Sequence, residues 1–328
     1  MSASIPVLFW RMLRYRVAVM MWMFMLIGIA SHGELDRFDV RYVLATVLLM
    51  SSYTAATCLN DIADRDVDRI NHPKDPGRPL VSGDADERGL LRVYAVAASL
   101  TVLAAVPLGL AGLAVAALSL VIGWAYSLGP ARISYRTYAA PMVLGIAYAL
   151  VPYTLGVIAA GERLGRGDAI LCAALFLLFL ARINLKDFRD RVGDAAYGKP
   201  TLLLRYGKTA TCAVSLVALW AGTALLVLDV APPLPVAVLF VGFLGAITSR
   251  IYALWRASDG RAEQVAIGIG ARAGNGLLIS LLALLIVIDS GGSATDANIV
   301  VAAVAAAFAA DFAVLVRQPA LAVIGYKA

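Results

Sequence analysis

The chain has 328 residues, of which 61% are hydrophobic and 15% charged, with a net charge of +6. Soluble domains carry about 25% charged residues, so a soluble globular fold has too little polar cover here. A mean hydropathy of +0.81, held in long runs without alternation, excludes an outer-membrane barrel as well. The chain therefore reads as an all-α polytopic membrane protein, with a single domain over 1–328.

In chain order the apolar runs fall at 17–32, 40–59, 88–108, 109–127, 139–160, 168–186, 208–229, 233–256, 264–289 and 296–316. Pro107 and Gly109 predict a tight turn between the third and fourth runs. The last run is short, rich in alanine and contains Asp311, so it reads either as a tenth span or as a helix lying against the others. Met20, Met21, Met23 and Met25 surround the first run with Trp22; they are expected to face lipid, with the shaping of an adaptable apolar cavity as the alternative. Cys58, Cys172 and Cys212 each sit in an apolar run with no CxxC spacing, which implies neither a disulfide framework nor a zinc site.

Orientation follows from Lys and Arg. With the N-terminus in the cytoplasm, 22 of the 28 lie on the cytoplasmic side. Arg37, Arg41, Arg163 and Arg166 fall on the other side, and Arg92 and Arg272 lie within runs. Charge placed this way serves topology, so the basic balance implies no nucleic-acid partner. A leader peptide is not expected, because no small-residue cleavage site follows the first run.

Segments 59–88 and 181–208 hold 11 of the 22 acidic residues. The first reads Asn60-Asp61, Asp64, Arg65, Asp66, Asp68. No Gly or Pro breaks it from the second run, so the helix is expected to continue. Asp61, Asp64 and Asp68 then share one face with Asn60. The second reads Lys186-Asp187, Asp190, Asp194 and repeats the same i, i+3, i+7 spacing four spans later. Gly77-Arg78-Pro79-Leu80 follows the first triad and Gly198-Lys199-Pro200-Thr201 the second. This is a weak internal repeat of two parallel half-domains.

Carboxylates so grouped repel by several kcal/mol per pair at about 4 Å, unless they are protonated or share a cation. Oxygen donors without histidine or thiolate favour Mg²⁺, Mn²⁺ or Ca²⁺. Arg65, Arg78, Arg132, Lys186 and Lys199 lie in the same layer. Acids beside bases suit a metal–phosphate complex, in which the acids hold metal and the bases hold oxygen. The plainer alternative is a set of solvated helix-end charges. Two matching triads at equivalent span ends weigh against it.

Asn60-Asp61-x-x-Asp64-x-x-x-Asp68 with Arg78-Pro79-Leu80, and Asp187-x-x-Asp190-x-x-x-Asp194 with Gly198-Lys199-x-Thr201, resemble the paired signatures of the UbiA superfamily of intramembrane prenyltransferases. Tyr126-Ser127-x-x-Pro130 is similar to a weaker third element. The resemblance implies a ring of nine transmembrane helices around a central, lipid-open cavity with a cytoplasmic cap, and 296–316 as an extra C-terminal helix. It implies Mg²⁺, two ions, held by Asn60, Asp61, Asp64, Asp68, Asp187, Asp190 and Asp194. Asn60, Arg65, Arg78, Arg132, Lys186 and Lys199 would bind a prenyl diphosphate, and Tyr126 would shape the cavity or meet the acceptor. The implied reaction moves the prenyl group to an aromatic or other lipid-soluble acceptor and releases pyrophosphate. The implied location is a bacterial or archaeal plasma membrane, with the site facing the cytoplasm. The chain departs from the family at Ser134, where a base is common.

Rival readings are a membrane terpene cyclase, a polyprenyl-phosphate phosphoribosyltransferase and an ion-coupled transporter. Transporter sites lie near the bilayer midplane, whereas these triads sit at helix ends. A CDP-alcohol phosphotransferase would need an Asp-Gly…Ala-Arg element, which the acid segments lack. Arg272 and Asn275 in the ninth run are read as polar groups near the cytoplasmic face, Arg272 by snorkelling.

Overall fold

The computed structural model describes residues 3–33, 35, 38–73, 75 and 77–324; Arg37 lies outside them. Among the described residues every regular element is a helix. Helix α1 (Ile5–Met12) meets α2 (Tyr15–Ala30) at a 63° bend. Helix α3 (Val40–Ala63) is capped by Asp39, whose carboxylate accepts the Arg41 amide, as an N-cap should. Two short helices follow, α4 (Arg65–Asn71) and α5 (Pro79–Ser82), and then α6 (Glu87–Ala105) and α7 (Gly109–Ser127).

The 41 residues from Glu87 to Ser127 form a nearly unbroken helical stretch, yet they are a hairpin. Thr101 in α6 shares a hydrogen bond with Ser51 of α3 at 2.9 Å. A Cβ on Gly123 in α7 would lie 2.9 Å from Ala56 of the same helix. Positions 51 and 56 are about 7.5 Å apart along α3, but a straight helix would separate 101 from 123 by about 33 Å. The chain reverses at Val106–Leu108, where Gly109 takes φ +75°, a conformation that glycine tolerates best. The expected turn is present.

The fifth run is α8 (Ala139–Gly145), a π-helical turn at Ile146–Leu150, and α9 (Val151–Ala159). The sixth is α10 (Asp168–Ile183), a 3₁₀ turn at Asn184–Lys186, and α11 (Asp187–Ala196). Then come α12 (Leu202–Val230), α13 (Leu234–Arg256), α14 (Gly260–Asp289), α15 (Ala294–Arg317) and α16 (Pro319–Ile324). Gly207 breaks the α12 geometry with φ +80°. By length and composition eight described stretches, the α6–α7 hairpin counted as one, can cross a membrane, or nine with the bent α1–α2 pair. Helix α15 is one of them. Only 17% of its most apolar window is buried, against 61% for α3, so it is an outer helix laid on α13 and α14.

The methionines correct the sequence reading. Met20, Met21, Met23 and Met25 are all buried, and Trp22 alone of that group is exposed. They pack with Phe24, Tyr153 and Phe179 in one cluster and with Leu48, Leu49 and Leu155 in another. Lipid and protein interior are equally apolar, so hydropathy could not separate the two fates. At the end remote from the acid segments, Tyr153 donates to Asp168 Oδ1 at 2.5 Å and pairs with Ser31 Oγ at 3.0 Å. This polar knot joins α2, α9 and α10.

Helices α2 and α9 cross in backbone contact. A Cβ on Gly156 would lie 2.1 Å from Met25 O, and one on Gly28 would lie 2.3 Å from Tyr153 O. Small residues permit this approach. Gly156→Val should therefore force the pair apart and cost about 1–3 kcal/mol, read as a lower melting temperature in detergent. Gly242→Ala, with nothing within 4 Å, should leave the melting temperature unchanged.

Candidate active site

The two acid segments form facing helix tips. The first is not one continuous helix, contrary to expectation: α3 stops at Ala63, and Asp64 has φ −102° and ψ 12°. The hydrogen-bond ladder still runs through it, from Asp64 N to Asn60 O and Asp68 N to Asp64 O, both 2.8 Å. Beyond this irregular residue α4 packs on α11. Gly193 allows the closeness. Its amide donates to Asn71 Oδ1 at 2.7 Å, and a Cβ there would sit 2.6 Å from Val67 O.

Side chains from the two tips interlock. Lys199 Nζ lies 3.7 Å from Asp64 Oδ2 and 3.5 Å from Asp194 Oδ1, one acid from each segment. His72 Nε2 is 3.1 Å from Asp190 Oδ1. Arg78 Nη1 lies 2.6 Å from both Asp61 Oδ1 and Asp68 Oδ2. Asn60 Nδ2 donates to Asp64 Oδ2 at 2.9 Å. Opposite charges hold both Arg78 and Lys199 firmly protonated against the pull of burial.

These groups line one cavity of about 810 Å³. Asn60, Asp64, Asp68, Asp190, Asp194, Arg78, Lys186, Lys199 and Tyr126 all reach its wall. Asp61 and Asp187 are buried, 2% and 8% exposed, and are not part of the lining. Arg65 and Arg132 are not brought to it either. Arg65 points toward Asp66 at 3.6 Å, and Arg132 stacks on the Tyr135 ring with Cζ 3.9 Å from its centroid. Arg272 and Asn275 do reach the cavity. Asn275 Oδ1 accepts from Arg182 at 2.7 Å, and Arg272 Nη1 lies 3.5 Å from Asp311.

Sequence reasoning missed Arg14, which donates to Asp61 Oδ1, and also His72 and Arg189, whose Nε donates to Asp190 Oδ1 at 2.9 Å. Arg14 comes from the α1–α2 bend, 47 positions from its acid, and no spacing rule links the two. Arg189, adjacent to Asp190, was legible as a base beside an acid.

The carboxylates suit a divalent cation. Asp61 Oδ2 and Asp64 Oδ1 are buried without a hydrogen-bond partner, an unfavourable state unless something positive completes them. Among the described residues no three acidic, histidine or cysteine groups are close enough to hold an ion by themselves. An ion here would need further oxygens from outside the protein, as Mg²⁺ usually takes from phosphate and water.

Burial pushes the Asp68 carboxyl up to about 6, outweighing the opposing pull of Arg78. In the metal-free fold the group keeps a proton that the unfolded chain releases, so its contribution to stability declines as pH rises from about 4 to 6. A cation must displace that proton. Apparent Mg²⁺ affinity should therefore hold steady above pH 6 and fall toward tenfold per unit below it, measured by titration calorimetry between pH 5 and 8.

Residues 18–272 match the UbiA prenyltransferase family. Among curated relatives, the digeranylgeranylglyceryl phosphate synthase of Methanothermobacter thermautotrophicus is 32% identical over 176 residues, covering 52% of this chain and 58% of that protein. The bacteriochlorophyll synthase 33 kDa chain of Rhodobacter capsulatus is 31% identical over 155 residues, covering 45% and 49%. The matched region thus spans about half the length of these relatives. The solved structure of a UbiA homolog from Archaeoglobus fulgidus bound to DMAPP and Mg²⁺ shares the fold, with a TM-score of 0.66, 16% identity, and coverage of 85% of this chain and 99% of that one.

Proposed function

The chain belongs to the UbiA prenyltransferase family, and from that premise we propose that it transfers a prenyl group from a prenyl diphosphate to a lipid-soluble acceptor, releasing pyrophosphate. The observation that carries this reading is the Lys199 bridge, which joins an acid of each helix tip on the wall of a shared cavity.

Bound Mg²⁺, two ions in this reading, supplies the positive charge that neutralises the departing diphosphate. Asn60, Asp64, Asp68, Asp190 and Asp194 are the residues that would hold it from the cavity wall, with Asp61 and Asp187 behind them. Arg78, Lys186 and Lys199 donate hydrogen bonds to diphosphate oxygens as negative charge develops there. Arg14 and Arg189 hold Asp61 and Asp190 in orientation. The apolar walls below keep water from the allylic cation. Transfer to an acceptor is preferred over cyclisation because the named relatives are a digeranylgeranylglyceryl phosphate synthase and a bacteriochlorophyll synthase chain. The acid layer lies at the end that bears most of the lysine and arginine, which supports a cytoplasmic orientation.

The test incubates purified protein and Mg²⁺ with a panel of prenyl diphosphates, with and without lipid-soluble acceptors. Pyrophosphate release that depends on both Mg²⁺ and an acceptor is the expected result. Product without any acceptor would select a cyclase instead, and no release from any donor would overturn the reading.

A further inference from the structure

Helices α15 and α16 lie wholly beyond residues 18–272, the stretch that matches the family, yet α16 reaches the large cavity. Ala322 lines it together with Gly268, Ala271, Arg272 and Asn275 of α14. The hold on α16 is close. A Cβ on Gly268 would lie 2.9 Å from Ala322 O and 3.5 Å from Ala322 Cβ. Ile269, Leu315 and Ala322 form an apolar cluster with Val265 and Phe312. Arg272 lies 3.5 Å from Asp311, and Arg250 Cζ lies 5.5 Å from the Phe312 ring centroid. The C-terminal helices are thus tied to α13 and α14 through two arginines, and Arg272 also faces the cavity.

The depth of this contact can be read along α14. Glu263 pairs with Arg191 of α11 at 3.1 Å, in the layer of the second acid tip. Gly268 comes five residues later, about 7.5 Å deeper at one helix rise per residue. A donor whose diphosphate sits among the acids puts its reacting carbon just below them, so an acceptor must reach this depth. The wall there is thin: Ala322 is 2% exposed but its neighbour Leu321 is 41% exposed, which gives α16 an inner and an outer face.

Gly268, Ala271 and Ala322 carry the smallest side chains a wall can have, so they leave a recess between α14 and α16. Arg272 and Asn275 set two polar groups beside it. Ligand pockets combine apolar walls with a few polar groups that fix orientation. A prenyl tail has no use for such a pair, whereas an acceptor ring with a polar substituent does. We propose that this recess seats the acceptor and that Ala322 sets the largest ring system it admits. The inference rests on the prenyl-transfer reading above, and it places one limit on the acceptor in a helix outside the family match.

The test uses the full chain in detergent. Ala271→Cys puts a thiol in the recess, and a pyrenyl maleimide reports whether a fused-ring group can reach it. Labelling of the unsubstituted chain, through Cys58, Cys172 and Cys212, is subtracted. Adding Ala322→Leu should slow that labelling about tenfold, and adding Ala322→Gly should speed it. The glycine variant adds no bulk and decides the matter if the leucine variant fails to fold. Both should bind geranyl thiolodiphosphate with Mg²⁺ as their parent does, by titration calorimetry. In turnover, Ala322→Leu should lower kcat/KM for fused-ring phenols about tenfold relative to single-ring phenols. Labelling indifferent to residue 322, or weakened binding of the donor analogue by the folded leucine variant, would overturn the acceptor recess. Labelling that follows residue 322 in a protein that releases no pyrophosphate would uphold the recess as a ring-binding pocket and reject the transfer reaction.

Discussion

Asn in place of Asp64 or Asp190 should abolish pyrophosphate release, with a fall on the order of 10³-fold. The two acids both line the cavity and belong to different helix tips. Asp64 Oδ1 is one of the buried, unpartnered oxygens, and an amide cannot supply its charge. Asp190 is braced by His72 and Arg189, so its substitution should cost turnover more than folding. Asp61→Ala and Asp187→Ala should be as inactive, although both residues are buried behind the lining. Near-normal turnover in two of these four variants would mean that the acids do not hold the cation. Melting curves in detergent separate loss of chemistry from loss of fold.

Replacing Arg78 with Met should harm stability as well as binding. The guanidinium is only 11% exposed and neutralises Asp61 and Asp68 together, each at 2.6 Å. Removing one partner of a buried ion group leaves uncompensated charge, which costs about 3–5 kcal/mol. Arg78→Met should therefore melt well below the wild type, and Mg²⁺ should recover part of the loss by replacing the missing positive charge. Arg78→Lys keeps a charge but gives up the planar fork, so it should fold and bind the diphosphate weakly. A Met variant with unchanged melting temperature and unchanged donor affinity would remove Arg78 from the site.

The spans were legible because each apolar run is near membrane length and is punctuated by charge or by Pro and Gly. The paired triads were legible because their spacing repeats on the same helical face. The side choice of Arg65 also had a signal. One residue past Asp64 lies about 100° around a helix, so an inward Asp64 turns Arg65 outward. Arg132 stacks on a tyrosine three positions away, a local choice that composition does not reveal. Arg14 was out of reach because the link to Asp61 depends on how α1 and α2 bend, which is a tertiary fact. The break at Asp64 has no Gly or Pro to mark it. Contact between α4 and α11 rewards the turn, and such contact is absent from any single segment.

The ion pairs already present between the tips bear on how a highly anionic guest is admitted. Lys199 and Arg78 spend the resting state on the protein's own acids. In the proposed reaction, loading would be an exchange of partners: Lys199 and Arg78 would pass from carboxylate to phosphate, leaving the carboxylates free to hold the divalent ions. Little net charge needs to be gathered from solution, and the pocket need not collapse or swell electrostatically between turnovers. Donor affinity should in consequence respond only weakly to added monovalent salt, unlike that of an open basic patch.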